Sequence, residues 1–382
     1  METFSTMMLP GDLPPVGNMI SLQARAGCLL ENRLSGYKYW LDSGTSALAV
    51  ALLDAKTHFP GLDKPRAIIP GYCCPDLIAA CVYAGVEPVA VDININDPSY
   101  DLDQLRQHLD VSVIAVIAIN FLGISERLDE LQQLIAGLGL CTRLIEDNAQ
   151  WFPSIEEEMD FKSDYVTFSF GRGKPMSLLG GGLLSARRPV AASVLACIEK
   201  TTRKQKLLAL KIIAYNFLLT PQLYMLLNRN PWLRLGETKY VPLAQIAYMD
   251  DYRRSLLDSN FKLHSQRHDE LPCSYDKALS SSGMQQLDSL CTLRRKRLLR
   301  YPLLCPDAVS RDNLLERMRA HGLGATSMYA LPIDQIAGVN GLVIVPGLLK
   351  NANSFAMRFM TMPIHSGVSQ AYQKRMWALI KG

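Results

Sequence analysis

Residues 67–146 repeat one pattern, a short apolar run followed by a helix-forming stretch, and few folds accommodate it. The runs 67–70, 88–92, 111–120 and 142–146 read as strands, and 75–84, 102–109 and 126–138 as helices, two of them ending at Gly85 and Gly139. The strands carry no polar alternation, so both their faces must be covered, as in a parallel sheet lying between helices. The fold class is therefore α/β with a mostly parallel sheet. Such sheets bind ligands beyond the carboxyl ends of their strands, where Asp92, Asn120 and Asp147 fall.

Two flanking stretches add chemistry. Residues 37–41 are apolar and aromatic. They lead into Asp42-Ser43-Gly44-Thr45-Ser46, a small-residue turn, and then a strong helix former over 47–56. A helix opening on such a turn offers free backbone N–H groups and the positive end of its dipole, a fit for a phosphate as well as an ordinary N-cap. Downstream, the apolar strand 165–170 runs into Gly171-Arg172-Gly173-Lys174-Pro175. This is no P-loop, because the Gly-x4-Gly-Lys spacing is absent and Pro175 stands where a hydroxyl residue would open the helix.

Composition excludes several classes. At 382 residues with 48% apolar and 20% charged side chains, the chain can bury a large core and divide into two domains. A formal charge of +4, with no basic block interleaved with aromatics, gives nucleic acid no footprint. The run Arg294-Arg295-Lys296-Arg297 reads as a solvated helix face. Nine scattered cysteines without C-x2-C pairs, and six dispersed histidines, support neither a zinc site nor a disulfide framework and imply a reducing compartment. The N-terminus has neither the basic nor the apolar region of an export signal, which places the chain in the cytoplasm.

The motifs SGTSAL (43–48), IIPGY (68–72), AGVEPVAVDI (84–93), IEDNAQ (145–150), SFGRGK (169–174) and MPIH (362–365), in this order, resemble the DegT/DnrJ/StrS family. These are sugar aminotransferases of the fold-type I pyridoxal-phosphate superfamily. The resemblance implies a large cofactor domain with a mostly parallel mixed sheet (37–240), a smaller α/β C-terminal domain (241–382) and an N-terminal arm (1–36). It further implies that Lys174 is the Schiff-base lysine and that Ser169, with the Gly44, Thr45 and Ser46 turn, receives the cofactor phosphate. Asp147 is implied as partner of the pyridine nitrogen and Gln150 as neighbour of the phenolic oxygen. The implied substrates are a nucleotide-linked keto sugar and an amino-acid donor, glutamate, on a homodimer, with no metal.

The chain departs from the family in three places. Cys73-Cys74 stand where relatives carry an aromatic over the cofactor ring, which leaves Tyr72 as a candidate to stack; the thiols read as small buried hydrophobes. Leu179-Gly180-Gly181-Gly182 replaces Gly-Glu-Gly-Gly, and Gly236-Glu237-Thr238-Lys239-Tyr240 stands where a cross-subunit Gly-x-Asn-x-Arg segment is expected. Residues 204–235 are apolar on nearly all sides and read as buried, at a domain or dimer interface. A second reading is a hairpin resting on the inner face of a membrane, aided by Arg203, Lys204, Lys206 and Trp232. In the C-terminal part 243–268 and 311–321 read as helices and 355–364 as a strand. Tyr329 and His365 read as packing or loop anchors, and Arg358 as a contact for the donor carboxylate. Two alternatives stay open beside amino transfer: sugar dehydration, which in this family goes with histidine in place of the lysine, and an idle cofactor-binding scaffold.

Overall fold

A computed structural model describes residues 11–25, 27, 29–157, 162–201, 205–230, 232, 236–267, 270–279, 287 and 293–381. Its centre is a seven-stranded sheet in the order β1-β9-β8-β7-β6-β2-β3. The strands are β1 (Tyr37–Leu41), β2 (Arg66–Pro70), β3 (Glu87–Val91), β6 (Val113–Ile119), β7 (Arg143–Asn148), β8 (Tyr165–Ser169) and β9 (Gly182–Ala186). β8, β7, β6, β2 and β3 pair in parallel, and β9 alone runs against the rest. A small hairpin, β4 (Ile93–Asn94) and β5 (Asp97–Tyr100), follows β3.

Side-chain alternation sends successive residues to opposite faces, and both faces are dry. Ala67 and Ile69 of β2 join one cluster, which holds the buried face of α2 (Gly44–Thr57) and α3 (Asp76–Ala84). Ile68 joins another, with α4 (Leu102–His108) and α5 (Leu128–Gly137). Four fully buried alanines in α2, at 47, 49, 51 and 55, let this helix approach the sheet closely. Gly85, with φ 63°, closes α3 in the left-handed conformation that favours glycine.

Beneath β8 and β9 the cover is different. Phe168, Phe170 and Leu183 pack on α9 (Asp251–Ser265) through Leu256, Leu257 and Phe261, and on α7 (Gln205–Leu218) through Leu208 and Ile212. The helix predicted over 243–268 begins at Asp251, because the Asp250 side chain accepts from the Arg253 amide and caps it there. The remaining helices of this part are α1 (Leu29–Arg33), α6 (Ala192–Leu195) and α8 (Pro221–Asn228).

The C-terminal body has its own core, built on the antiparallel pair β10 (Tyr301–Leu304) and β11 (Phe359–Met362) with α10 (Glu270–Leu279), α11 (Ala308–Ala320) and α13 (Gln370–Lys381). Only 359–362 of the strand predicted over 355–364 is extended. The residues before it form α12 (Lys350–Arg358), whose first turn is capped from afar: Asp92 accepts from the Asn351 and Ala352 amides, each at 2.8 Å. The Arg294–Arg297 run is no solvated helix face either. Arg294 pairs with Asp97, Arg295 with Asp276, and the Lys296 ammonium sits 4.0 Å from the Trp151 ring centroid.

Residues 11–34 thread across the molecule, with Leu13 in the C-terminal core, Val16 in the α2 cluster, and Ile20, Leu30 and Leu34 beneath β8. Asp258 accepts the Leu29 and Leu30 amides, and His365 donates from Nε2 to the Pro14 carbonyl at 2.8 Å. Burial lowers the His365 pKa to about 4, so the ring is neutral at pH 7 and anchors the arm, as its reading as a loop anchor expected.

Candidate active site

The carboxyl ends of β2, β6, β7 and β8, with the start of α2, enclose one cavity. Gly44, Thr45, Cys73, Cys74, Phe121, Asp147, Gln150, Ser169, Lys174 and Tyr329 are among its lining residues. Parallel strand direction alone brings residues this far apart in sequence to one edge.

Local chemistry explains each wall. Ser43 caps α2: its side chain accepts the Ser46 amide at 3.0 Å and its carbonyl the Ala47 amide. The Gly44 and Thr45 amides therefore have no partner within the helix, and they stand at its positive end. Gly44 must be glycine, since a Cβ there would lie 2.6 Å from the Ser169 Cβ. The run Gly180-Gly181-Gly182 has the same origin. The first two have φ of 138° and 100°, and a Cβ on Gly182 would meet the Ser43 carbonyl oxygen at 2.1 Å. The run seats β9 against the turn that opens α2, and the buried Arg253 guanidinium holds its approach by donating to the Leu178 and Leu179 carbonyls.

Asp147 is the next-to-last residue of β7, buried between Ile119 of β6 and Thr167 of β8 in register. Burial raises its pKa, opposed by the Ala149 amide and the Lys174 charge. Its hydrogen bonds, from Ala149 N at 2.9 Å and Thr167 Oγ1 at 3.4 Å, both end on Oδ1. Lys174 sits in the loop after β8, whose backbone is tied down where Asn18 of the arm donates to the Pro175 carbonyl at 3.0 Å. Gln150 is fixed at both ends, accepting the Leu122 amide and donating to the Tyr329 hydroxyl at 2.9 Å.

Several expected residues lie elsewhere. Tyr72 does not face the cavity: it is 1% exposed, edge-on to Phe121, Tyr329 and Phe355, with its hydroxyl donating to the Tyr329 carbonyl at 2.9 Å. No stacking role remains for it, and the cavity wall at this point is Cys73 and Cys74. Burial keeps both thiols protonated, Cys74 at about 12. Ser46 is buried behind the turn, donating to Asp42 at 2.6 Å. Asp92 caps α12, Asn120 bonds Glu146, and Arg358 donates to the Ile95 carbonyl. Sequence reasoning missed Phe121 and gave Tyr329 too small a part. Phe121 directly follows a flagged strand end, whereas nothing local marks Tyr329 as a neighbour of Gln150. Tyr72→Phe is expected to lower stability by about 1 kcal/mol while leaving cofactor affinity unchanged, as read by denaturant unfolding and cofactor titration.

A larger cavity, about 320 Å³, lies behind the lysine loop, and three of its lining amides hold the arm: Asn18 bonds Pro175, Asn216 bonds Ile20 and Asn260 bonds Ser21.

A family model of the DegT/DnrJ/EryC1/StrS aminotransferases matches residues 37–221 and 259–381. The chain belongs to this family. It is a pyridoxal-phosphate-dependent aminotransferase. Among individual proteins, MosB of Rhizobium meliloti is 30% identical over 159 residues, which cover 41% of this chain and 30% of that protein's length. The sugar aminotransferase Spr1654 of Streptococcus pneumoniae in its pyridoxal-phosphate form shares the fold, at 16% identity and a TM-score of 0.68, covering 98% of this chain and 93% of that one. So does DesI, solved with its TDP-sugar product, at 16% identity and a TM-score of 0.69 over 98% of this chain and 93% of that one. The aminotransferase site fits the cofactor on its own evidence: free helix amides beside Ser169 for a phosphate, a buried carboxylate for a cationic ring nitrogen, and a lysine on the same cavity.

Proposed function

We infer that this aminotransferase moves an amino group from glutamate to a keto group on a nucleotide-linked sugar. The observation that carries the reading is the meeting of Lys174 and Asp147 on one cavity opened by the α2 N-terminus. When bound, pyridoxal phosphate supplies a ring that withdraws electrons from the substrate carbon. Asp147 holds a proton on the ring nitrogen, because an anion buried this deeply needs a cation beside it. The Gly44 and Thr45 amides and Ser169 bind the phosphate. Lys174, with its backbone fixed by the arm, would hold the cofactor through its amine and carry a proton there. Gln150, held by Leu122 and Tyr329, would lie beside the cofactor's phenolic oxygen.

The sugar class is supported by the family and by the TDP-sugar product with which DesI was solved. The presence of Lys174 favours amino transfer over dehydration. We assign the protein to the cytoplasm, in keeping with seven free cysteines among the described residues (Cys28 and Cys291 lie outside them), and to a homodimer, as the family resemblance implies. The test is glutamate consumption against a panel of keto-sugar nucleotides. Stoichiometric 2-oxoglutarate with one of them supports the reading, and cofactor binding with no amino transfer from any donor would favour the idle scaffold.

A further inference from the structure

The described residues of 204–235 do not form the buried element that composition predicts. Among the described side chains of α7 only Leu208 and Ile212 are fully enclosed, whereas Leu207, Leu210, Ile213 and Phe217 are 54%, 64%, 53% and 66% exposed. Their spacing of three and four places them on one stripe, and Leu226 of α8, 65% exposed, extends the apolar surface. A contiguous exposed surface of this kind marks a contact with something apolar.

Charge identifies the partner. From Lys200 to Gly236 the sequence has seven basic residues (Lys200, Arg203, Lys204, Lys206, Lys211, Arg229 and Arg234) and no Asp or Glu, and of these Arg229 is paired with Asp12 of the arm. Arg203, Lys204 and Arg234 lie outside the described residues, as does the Lys206 side chain. Lys211 stands exposed within the apolar stripe, where its long stem can reach past buried methyl groups to a headgroup. A second copy of this chain would bring the same cations against themselves if the faces met about a two-fold axis, whereas an anionic bilayer offers acyl chains for the stripe and phosphate for the cations.

Geometry fixes the mode of contact. Among the described residues no single helix is long and apolar enough to cross a membrane; 207–218 and α8 qualify only together, and they meet at 94°. The inner side of α7 is also tied to the protein, since Leu208 and Ile212 pack beneath the sheet and Asn216 exchanges hydrogen bonds with both backbone groups of Ile20. We propose that α7 lies flat on an anionic lipid surface, inserting Leu207, Leu210, Ile213 and Phe217 and thereby holding the aminotransferase at a membrane.

The experiment is flotation of the cofactor-loaded protein with vesicles of phosphatidylcholine alone and of phosphatidylcholine mixed with phosphatidylglycerol. Binding to the mixed vesicles, weakened by added salt, is expected. Leu210→Glu with Phe217→Glu, both exposed and therefore without folding cost, should reduce that binding about tenfold or more, and Lys211→Glu should reduce it less. Melting temperature and cofactor absorbance verify that the variants are folded. Absence of binding to mixed vesicles would overturn the proposal, as would undiminished binding by the double variant. So would a fall in the double variant's mass in solution, which would make the face a contact between copies.

Discussion

Lys174→Ala is expected to slow amino transfer by about three orders of magnitude or more, the scale of losing both a covalent anchor and a positioned proton carrier. Cofactor binding should survive, because the proposed phosphate site at Gly44, Thr45 and Ser169 and the carboxylate of Asp147 are separate from the amine. Borohydride treatment followed by peptide mapping separates the two effects: label on Lys174 in the parent and none in the variant. Retention of full half-reaction turnover would exclude Lys174 as the proton carrier. Lys174→Arg should be nearly as slow, since a guanidinium does not give up its proton at neutral pH.

Asp147→Asn should act in opposite directions on the empty and the loaded protein. Asparagine retains Oδ1, where the bonds from Ala149 and Thr167 end, so the local structure persists. Burial raises the aspartate pKa, which means the folded, cofactor-free protein holds a proton there more tightly than the unfolded chain does. Stability from that protonation is fully present below the unfolded carboxyl range and is lost as pH rises through the folded value. Above the folded value the empty site therefore carries a destabilising anion. Cofactor-free Asp147→Asn should melt above the cofactor-free parent there, and the difference should disappear in acid. With cofactor the order reverses, and amino transfer falls by about a hundredfold or more because the ring nitrogen loses its counter-charge. Melting curves across pH, with and without pyridoxal phosphate, test both halves.

How much of this could be read from sequence follows the range of the interactions. The parallel strands were legible because burial on both faces forces continuous apolar runs, and Lys174, Asp147 and Gly44 because each stands at a strand end or helix start within its own motif. The beginning of α12 was not, since its capping carboxylate, Asp92, lies 259 and 260 residues from the amides it accepts. Tyr329 meets Gln150 across 179 residues, and no local signal reports that. Tyr72 was misplaced because its motif gives its position on the chain and not the direction of its ring, which the aromatic cluster with Phe355 decides. Apolar residues on every side of α7 resembled a core helix, and only the packed neighbours show that two turns' worth of them face outward.

The part played by Tyr329 bears on how the protein is made. Its hydroxyl receives Gln150, its carbonyl receives Tyr72, and its side chain completes the wall of the cavity. A chain emerging from the ribosome has every other named group of the site in hand once Lys174 is out, yet the cavity has no final wall until residue 329 follows. Because domains form in order of synthesis, Lys174 stays open to the surroundings until residue 329 has followed. The enclosed site exists only once residue 329 has been added.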